Sequence, residues 1–330
     1  PGNTGGGATG NPGGGATGST GSGTPGSTGS GATGNPGGGA PGNPGGGQSG
    51  TTGGAVTWDP VQYLRYADER GRPFADLLTP VRAANPRYVV DLGCGPGTLT
   101  ATLRTRWPDA VIEGVDSSAQ MIDKARALPD DERTKGSGRL SFARGDVRTW
   151  KPDRPVDVLV SNATLQWVPK HLDLLPDWVD HLSPGGWLAL QVPGNFGSPS
   201  HQTLFALAAE EPWVGHLVEP VSQRPSAPGP EVYLEVLAAA GCRVDAWETT
   251  YLHVLFGDDA VFEWMKGTGA QPILQALPDD IRPAFEDAYK ERLREAYPVR
   301  AYGTLLPYRR VFAVAQKETA QKETTQKETT

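Results

Sequence analysis

The stretch "VVDLGCGPGTLT", residues 89–100, restricts the fold more than any other part of the chain. An apolar run ends in an acid, Asp91. Three glycines follow, Gly93, Gly95 and Gly97, and then a run suited to a helix. A strand, a tight glycine turn and a helix in that order build the ligand-facing corner of an open parallel sheet. NAD, FAD, GTP and S-adenosylmethionine (SAM) all sit on glycine-rich turns, and each implies a different chemistry.

The surrounding pattern extends that corner into a sheet. Residues 87–93, 110–116, 140–146, 156–162 and 187–193 read as strands. Between them lie helices at 98–107, at 119–128 (capped by Ser117 or Ser118) and at 172–182, the last ending at Pro184-Gly185-Gly186. In 58–78 the apolar residues fall at helical spacing, and Pro73 suits the opening of a second helix. After residue 193 the alternation breaks. A Pro-rich, helix-containing stretch runs to about residue 229, followed by a helix at 231–240 and a sixth strand at 242–255. Two or three helices cross 258–297, and a seventh strand covers 309–315. Strands alternating with helices predict an α/β fold, a mostly parallel sheet with helices on both faces.

Not all 330 residues join that fold. Residues 1–54 carry no charged side chain and 25 of the 44 glycines, with "TGNPGGGA" at 9–16 and again at 33–40. Such a segment has no apolar area to offset the entropy of ordering it, so it reads as a disordered coil. It lacks the basic start and apolar stretch of a signal peptide, and its glycines do not recur every third residue as in collagen. The repeat "QKETAQKETTQKETT" at 316–330 reads as a solvated tail. About 260 residues, 55–315, remain for one domain. A net charge of −7 argues against a surface that wraps nucleic acid. No apolar run reaches the roughly 18 residues of a membrane helix. Two distant cysteines, Cys94 and Cys242, give no disulfide or zinc framework. The expectation is a cytoplasmic monomer without metal, nucleic acid or membrane partners.

The glycine turn discriminates among its ligands. The dinucleotide fingerprint spaces its third glycine at residue 98, which is Thr98; the glycine falls at 97 instead. Pro96 removes one N–H that a pyrophosphate would use. No Lys-Ser/Thr pair follows, which excludes a P-loop. Asp116 ends the second strand, where a carboxylate accepts both ribose hydroxyls of either NAD or SAM. Asp146 ends the third and can take an adenine amino group, with the N–H of Val147 beside the ring. Asn162 ends the fourth, next to the reactive end of a bound nucleotide. The loop and these three residues share the carboxyl edge of the sheet, where open α/β sheets bind ligands.

Together, "DLGCGPGTLT", "GVDSS", "GDV" and "SNATLQWVP" resemble the class I SAM-dependent methyltransferases. "WDPVQYLRYADERGRPF", "LALQVPGNFGSPSH", "GCRVDAWETTYLHVL", "GTGAQPIL" and "YRRVFAVA" extend the likeness to the trans-aconitate 2-methyltransferase family, over about residues 57–315. Thr98, where Asn is expected, and Gln271, where Arg is expected, depart from it. The resemblance implies a Rossmann-like fold whose seventh strand inserts antiparallel between the fifth and sixth. A helical cap would come from about 57–82, 194–230 and 258–300. It implies SAM as co-substrate, held by Asp91 (toward the ammonium), Gly93, Gly95, Gly97, Asp116, Asp146, Val147 and Asn162. It also implies methyl transfer to a carboxylate of trans-aconitate. The alternatives are another small or carrier-bound acid, or a non-catalytic SAM-binding protein.

A sulfonium-bound methyl is electrophilic and a carboxylate is ionised at neutral pH, so alignment replaces general-base catalysis. No Ser-His-Asp or Cys-His arrangement is needed, and none is found. An acceptor with about three charges needs local cations, and Arg is the better carboxylate fork. The candidates are Arg65, Arg70 and Arg72 near the N-terminal helices and Arg309 and Arg310 in the last strand. Strand alternation sends Arg309 and Arg310 to opposite faces, and Arg310 is the preferred one. Gln166, Trp167 and His201 are the positioning candidates, and Tyr63 is a further substrate contact.

Overall fold

A computed structural model describes residues 67–128, 137–222 and 224–319. Tyr63 and Arg65 lie outside the described residues, as do the segments 1–54 and 320–330 and the side chain of Arg70.

Seven strands form one sheet in the order β3-β2-β1-β4-β5-β7-β6. β1 (Tyr88–Leu92) is buried along its whole length, as a central strand covered on both faces must be. β2 (Val111–Asp116), β3 (Arg139–Arg144), β4 (Val156–Asn162) and β5 (Leu182–Pro193) run parallel to it. The crossovers are α2 (Thr98–Arg106), α3 (Ala119–Arg126) and, between β4 and β5, two single 3₁₀ turns and α4 (Leu175–Asp180). The Ser118 hydroxyl caps α3, accepting from the Met121 N–H at 3.4 Å. β7 (Thr304–Lys317) pairs antiparallel with β5 on one side and β6 (Cys242–Leu255) on the other. β6 therefore runs with the parallel set, and β7 alone runs against it.

Each face of the sheet has its own core. On one side α1 (Ala67–Leu78) brings Phe74 and Leu77 onto Val89, Val160, Ala189 and Phe312. On the other, Trp178 of α4 and Tyr233 of α7 (Pro230–Ala239) pack on Leu92, Leu159 and Leu190. A third core joins α5 (Pro199–Ala208), α6 (Val214–Ser222), α8 (Ala260–Lys266), α9 (Gln271–Ala276) and α10 (Arg282–Ala296) around Trp264, Phe285 and Tyr289.

Three local expectations change. Pro73 lies inside α1 and opens no second helix. The buried stripe Phe74, Leu77 and Leu78 holds the helix through the proline, because tertiary packing outweighs propensity. The helix expected at 172–182 splits into a 3₁₀ turn at His171–Leu174 and the short α4. Its closing turn becomes a bulge within β5: Leu182 pairs with Val156 and Trp187 with Val158, so residues 183–186 loop out around Gly185, at φ 76°. Finally, β7 extends past residue 315 into the repeat. The Lys317 ammonium donates to the carbonyls of Val179 (2.9 Å), Asp180 (3.1 Å) and Leu182 (3.2 Å), and the Gln316 amide to that of Gly185 (3.1 Å).

Candidate active site

The glycine turn leaves β1 with φ of 81°, 55° and 76° at Gly93, Gly95 and Gly97, a region side chains rarely enter. Their surroundings differ. A Cβ on Gly93 would overlap the Thr164 side chain, and one on Gly97 would fall 2.6 Å from Phe142 Cζ. Above Gly95 nothing lies within 4 Å. The outer two glycines let protein pack on protein, and the middle one leaves backbone open to a ligand.

Two acids flank this opening. Asp116 accepts from the Gly95 N–H (3.0 Å) and the Ser118 N–H (2.8 Å). Burial raises its pKa in spite of both bonds. Asp91 is 3% exposed and accepts from the Thr100 hydroxyl at 2.6 Å. Burial pushes it up to about 7, opposed by the Thr100 bond and reinforced by the charge of Asp116. Two neighbouring carboxylates, Asp91 buried and Asp116 half-buried, are stabilised in their ionised forms by a cation and disfavour the added negative charge of a pyrophosphate. SAM brings an ammonium and a sulfonium, so the residues present fit it.

The other cofactor candidates follow along the carboxyl edge. The Asp146 carboxylate is engaged by Arg148, through its backbone N–H (2.9 Å) and guanidinium, which holds it below the usual carboxylate range. Val147 is buried against the core. Asn162 ends β4 with its side-chain oxygen buried and without a protein partner. Beyond it Ala163 turns at φ 55°, and the Thr164 hydroxyl donates toward the carbonyls of Gly93 and Asn162, each at 3.2 Å. That hydroxyl ties the glycine turn to the loop after β4. Gln166 closes this loop by donating to the Ala163 carbonyl at 2.7 Å, its own oxygen remaining buried and unpartnered. Trp167 ends the 3₁₀ turn, half-buried.

Two of the cation candidates, Arg72 and Arg310, meet the same pair of tyrosines farther along the sheet, and Arg309 does not. Arg310 is 4% exposed; its guanidinium donates to the Gln191 side-chain oxygen at 3.1 Å and lies 4.8 Å over the Tyr308 ring. Arg309 faces the other way, toward Glu248 and the Gly194 carbonyl. Cross-strand register puts Arg310 opposite Pro193 and Thr249, and Tyr308 opposite Tyr251. Arg72, its side chain 74% exposed, reaches over Tyr251 at 5.2 Å from the ring centroid. Tyr251 donates to Asp76 at 2.7 Å. His253 is stacked on Trp264 at 4.9 Å; burial first, then the charges of Arg310 and Arg72, push it down to about 4, so it is neutral at pH 7. Sequence reading missed Gln191, Tyr251 and His253. Their signal lies in strand alternation, which becomes a shared face only once β7 is registered on β5 and β6.

His201 sits in α5, 2% exposed, with the Phe196 ring edge-on at 5.2 Å. Gly269 approaches so closely that a Cβ there would fall 2.7 Å from His201 Nε2. Burial lowers its pKa to about 4, so it too is neutral. Its contacts are those of a packed interior residue. Among the described residues, no group of three or more His, Cys, Asp or Glu could hold a metal ion, and no helix is long and apolar enough to cross a membrane.

A single antiparallel strand between β5 and β6, with an acid-flanked glycine turn at the carboxyl edge, defines a SAM-dependent methyltransferase of the class I type. A family model described as "Methyltransferase domain" matches residues 89–186, from β1 into the β5 bulge. The chain belongs, more narrowly, to the trans-aconitate 2-methyltransferase family. The family's member from Streptomyces coelicolor is 54% identical over 267 residues, covering 80% of this chain and 88% of its own. That from Streptomyces avermitilis is 53% identical over 264 residues (79% and 97%), and that from Mycobacterium sp. (strain KMS) 49% over 261 residues (78% and 99%). The chain is an enzyme, and SAM is its co-substrate.

Proposed function

We propose that this enzyme transfers the methyl group of SAM to one carboxylate of trans-aconitate. A carboxylate oxygen–methyl bond forms as the methyl–sulfur bond breaks with its electrons left on sulfur, giving a monomethyl ester and S-adenosylhomocysteine. The observation that carries the acceptor class is the buried Arg310, on the sheet face it shares with Tyr308 and Tyr251, over which Arg72 reaches. Two guanidiniums on one pair of tyrosines favour an acceptor with several carboxylates.

When bound, SAM supplies a methyl group that is already electrophilic. Asp91 and Asp116 favour its cationic and hydroxyl groups, Gly95 leaves backbone for it to approach, and Asn162 offers an acceptor at the strand end. With the acceptor ionised, the protein's part is alignment and exclusion of water. Trp167, His201 and Gln166 act in this reading through position. The catalytic domain is residues 55–315, its cap drawn from about 57–82, 194–230 and 258–300, between two tails. Two free buried cysteines support a reducing, cytoplasmic compartment, and the enzyme is read as a monomer.

The test is methyl transfer from methyl-labelled SAM across a panel of mono-, di- and tricarboxylates. The expected result is base-labile label on trans-aconitate at higher kcat/KM than on any mono- or dicarboxylate. Tight SAM binding with no label on trans-aconitate would overturn the reading.

A further inference from the structure

Gln191 is a buried polar residue on the inner strand β5, 1% exposed, two residues from the strand's end. Its amide orientation is fixed by chemistry. Arg310 has only donors to offer, so the oxygen of Gln191 must face it, as it does at 3.1 Å. The –NH₂ group therefore points away from Arg310. It is buried and has no protein partner. An amide donor left so in the interior costs about 1–3 kcal/mol, and such a cost persists where a ligand relieves it. Gln191 pairs in register with Asn162, whose side-chain oxygen is likewise buried and unpartnered. The two amides are adjacent on the sheet yet not bonded to each other.

This donor suits one carboxylate in particular. A guanidinium fork occupies both oxygens of its carboxylate and withdraws charge from them. Arg310 and Arg72 therefore fit the acceptor carboxylates that do not react. The reacting carboxylate needs the opposite treatment: one neutral donor on one oxygen, leaving the other free to attack. We propose that Gln191 orients the reacting carboxylate through its side-chain N–H, while Arg310 fixes the amide from behind. The proposal rests on the carboxyl-methyltransferase reading and adds the residue that selects which carboxylate is methylated.

Gln191→Leu removes the donor, and Gln191→Glu replaces it with an oxygen while keeping an acceptor toward Arg310. Both variants are assayed on every acid the wild type methylates, with SAM Kd measured in parallel. The expected result is kcat lowered about 100-fold, the scale of loss when a reacting group is misplaced by about 1 Å. The loss is the same for di- and tricarboxylates, and SAM Kd stays within about threefold. Gln191→Asn, which retains a shorter amide, recovers part of kcat. Should Gln191→Leu lose SAM binding through misfolding, Gln191→Glu decides alone. A kcat within threefold of wild type in a variant that binds SAM overturns the proposal. A wild type that methylates a different acid overturns only the choice of trans-aconitate, and the Gln191 test then runs on that acid.

Discussion

Arg310→Ala is expected to raise KM for trans-aconitate about 100-fold while SAM Kd moves less than threefold. A buried hydrogen bond to a charged group contributes about 1.5–3 kcal/mol, and each 1.4 kcal/mol is a factor of ten. Arg310 is buried and faces away from Arg309, which is bonded instead to Glu248. Arg310→Lys keeps the charge and loses the fork, so an intermediate loss of about tenfold is expected. Truncation also leaves the Gln191 oxygen unpartnered, at a stability cost of about 1–3 kcal/mol. Steady-state kinetics with calorimetric SAM binding separates the two substrates. Equal effects on KM and on SAM Kd would remove Arg310 from the acceptor site.

Gly93→Ala is the second large effect, and it falls on the other substrate. At φ 81° a side chain is strained by about 1–2 kcal/mol before any clash. The added Cβ would then overlap Thr164, a stiff side chain held by the carbonyls of Gly93 and Asn162. The turn must move, carrying Gly95 and its bond to Asp116. SAM affinity is expected to fall at least 100-fold, about 2.8 kcal/mol, with a lowered Tm. Gly95→Ala is the control: its Cβ meets no protein atom. It should lower SAM affinity while costing less Tm than Gly93→Ala. Calorimetry and thermal melts on both variants check this contrast. Near-native SAM binding by Gly93→Ala would contradict the account of the turn.

The two variants mark the boundary between what the chain states openly and what only folding assembles. The turn and its acids are local. Gly93, Gly95, Gly97, Asp91 and Asp116 lie within one strand, its turn and the end of the next strand, so spacing alone brings them together. The proposed acceptor side draws on β5, β6, β7 and α1, elements up to 238 residues apart between Arg72 and Arg310. Alternation could separate Arg310 from Arg309, because that needs only one strand. It could not find Gln191 or His253. A lone Gln within "LALQVP" and a lone His within "YLHVL" look like ordinary strand residues until β7 is inserted between β5 and β6. Pro73 and the β5 bulge were obscured for a related reason: long-range packing outweighed a local breaker signal in each.

The central claim is that a carboxylate oxygen receives the methyl group. The most direct measurement is the ¹³C spectrum of trans-aconitate after turnover with SAM labelled at its methyl carbon, followed by mild alkali. One new methoxy-ester resonance is expected, lost on alkaline treatment with release of labelled methanol, and strongly reduced in Gly93→Ala at the same SAM concentration. A label that resists alkali, or one attached to carbon, would contradict the claim.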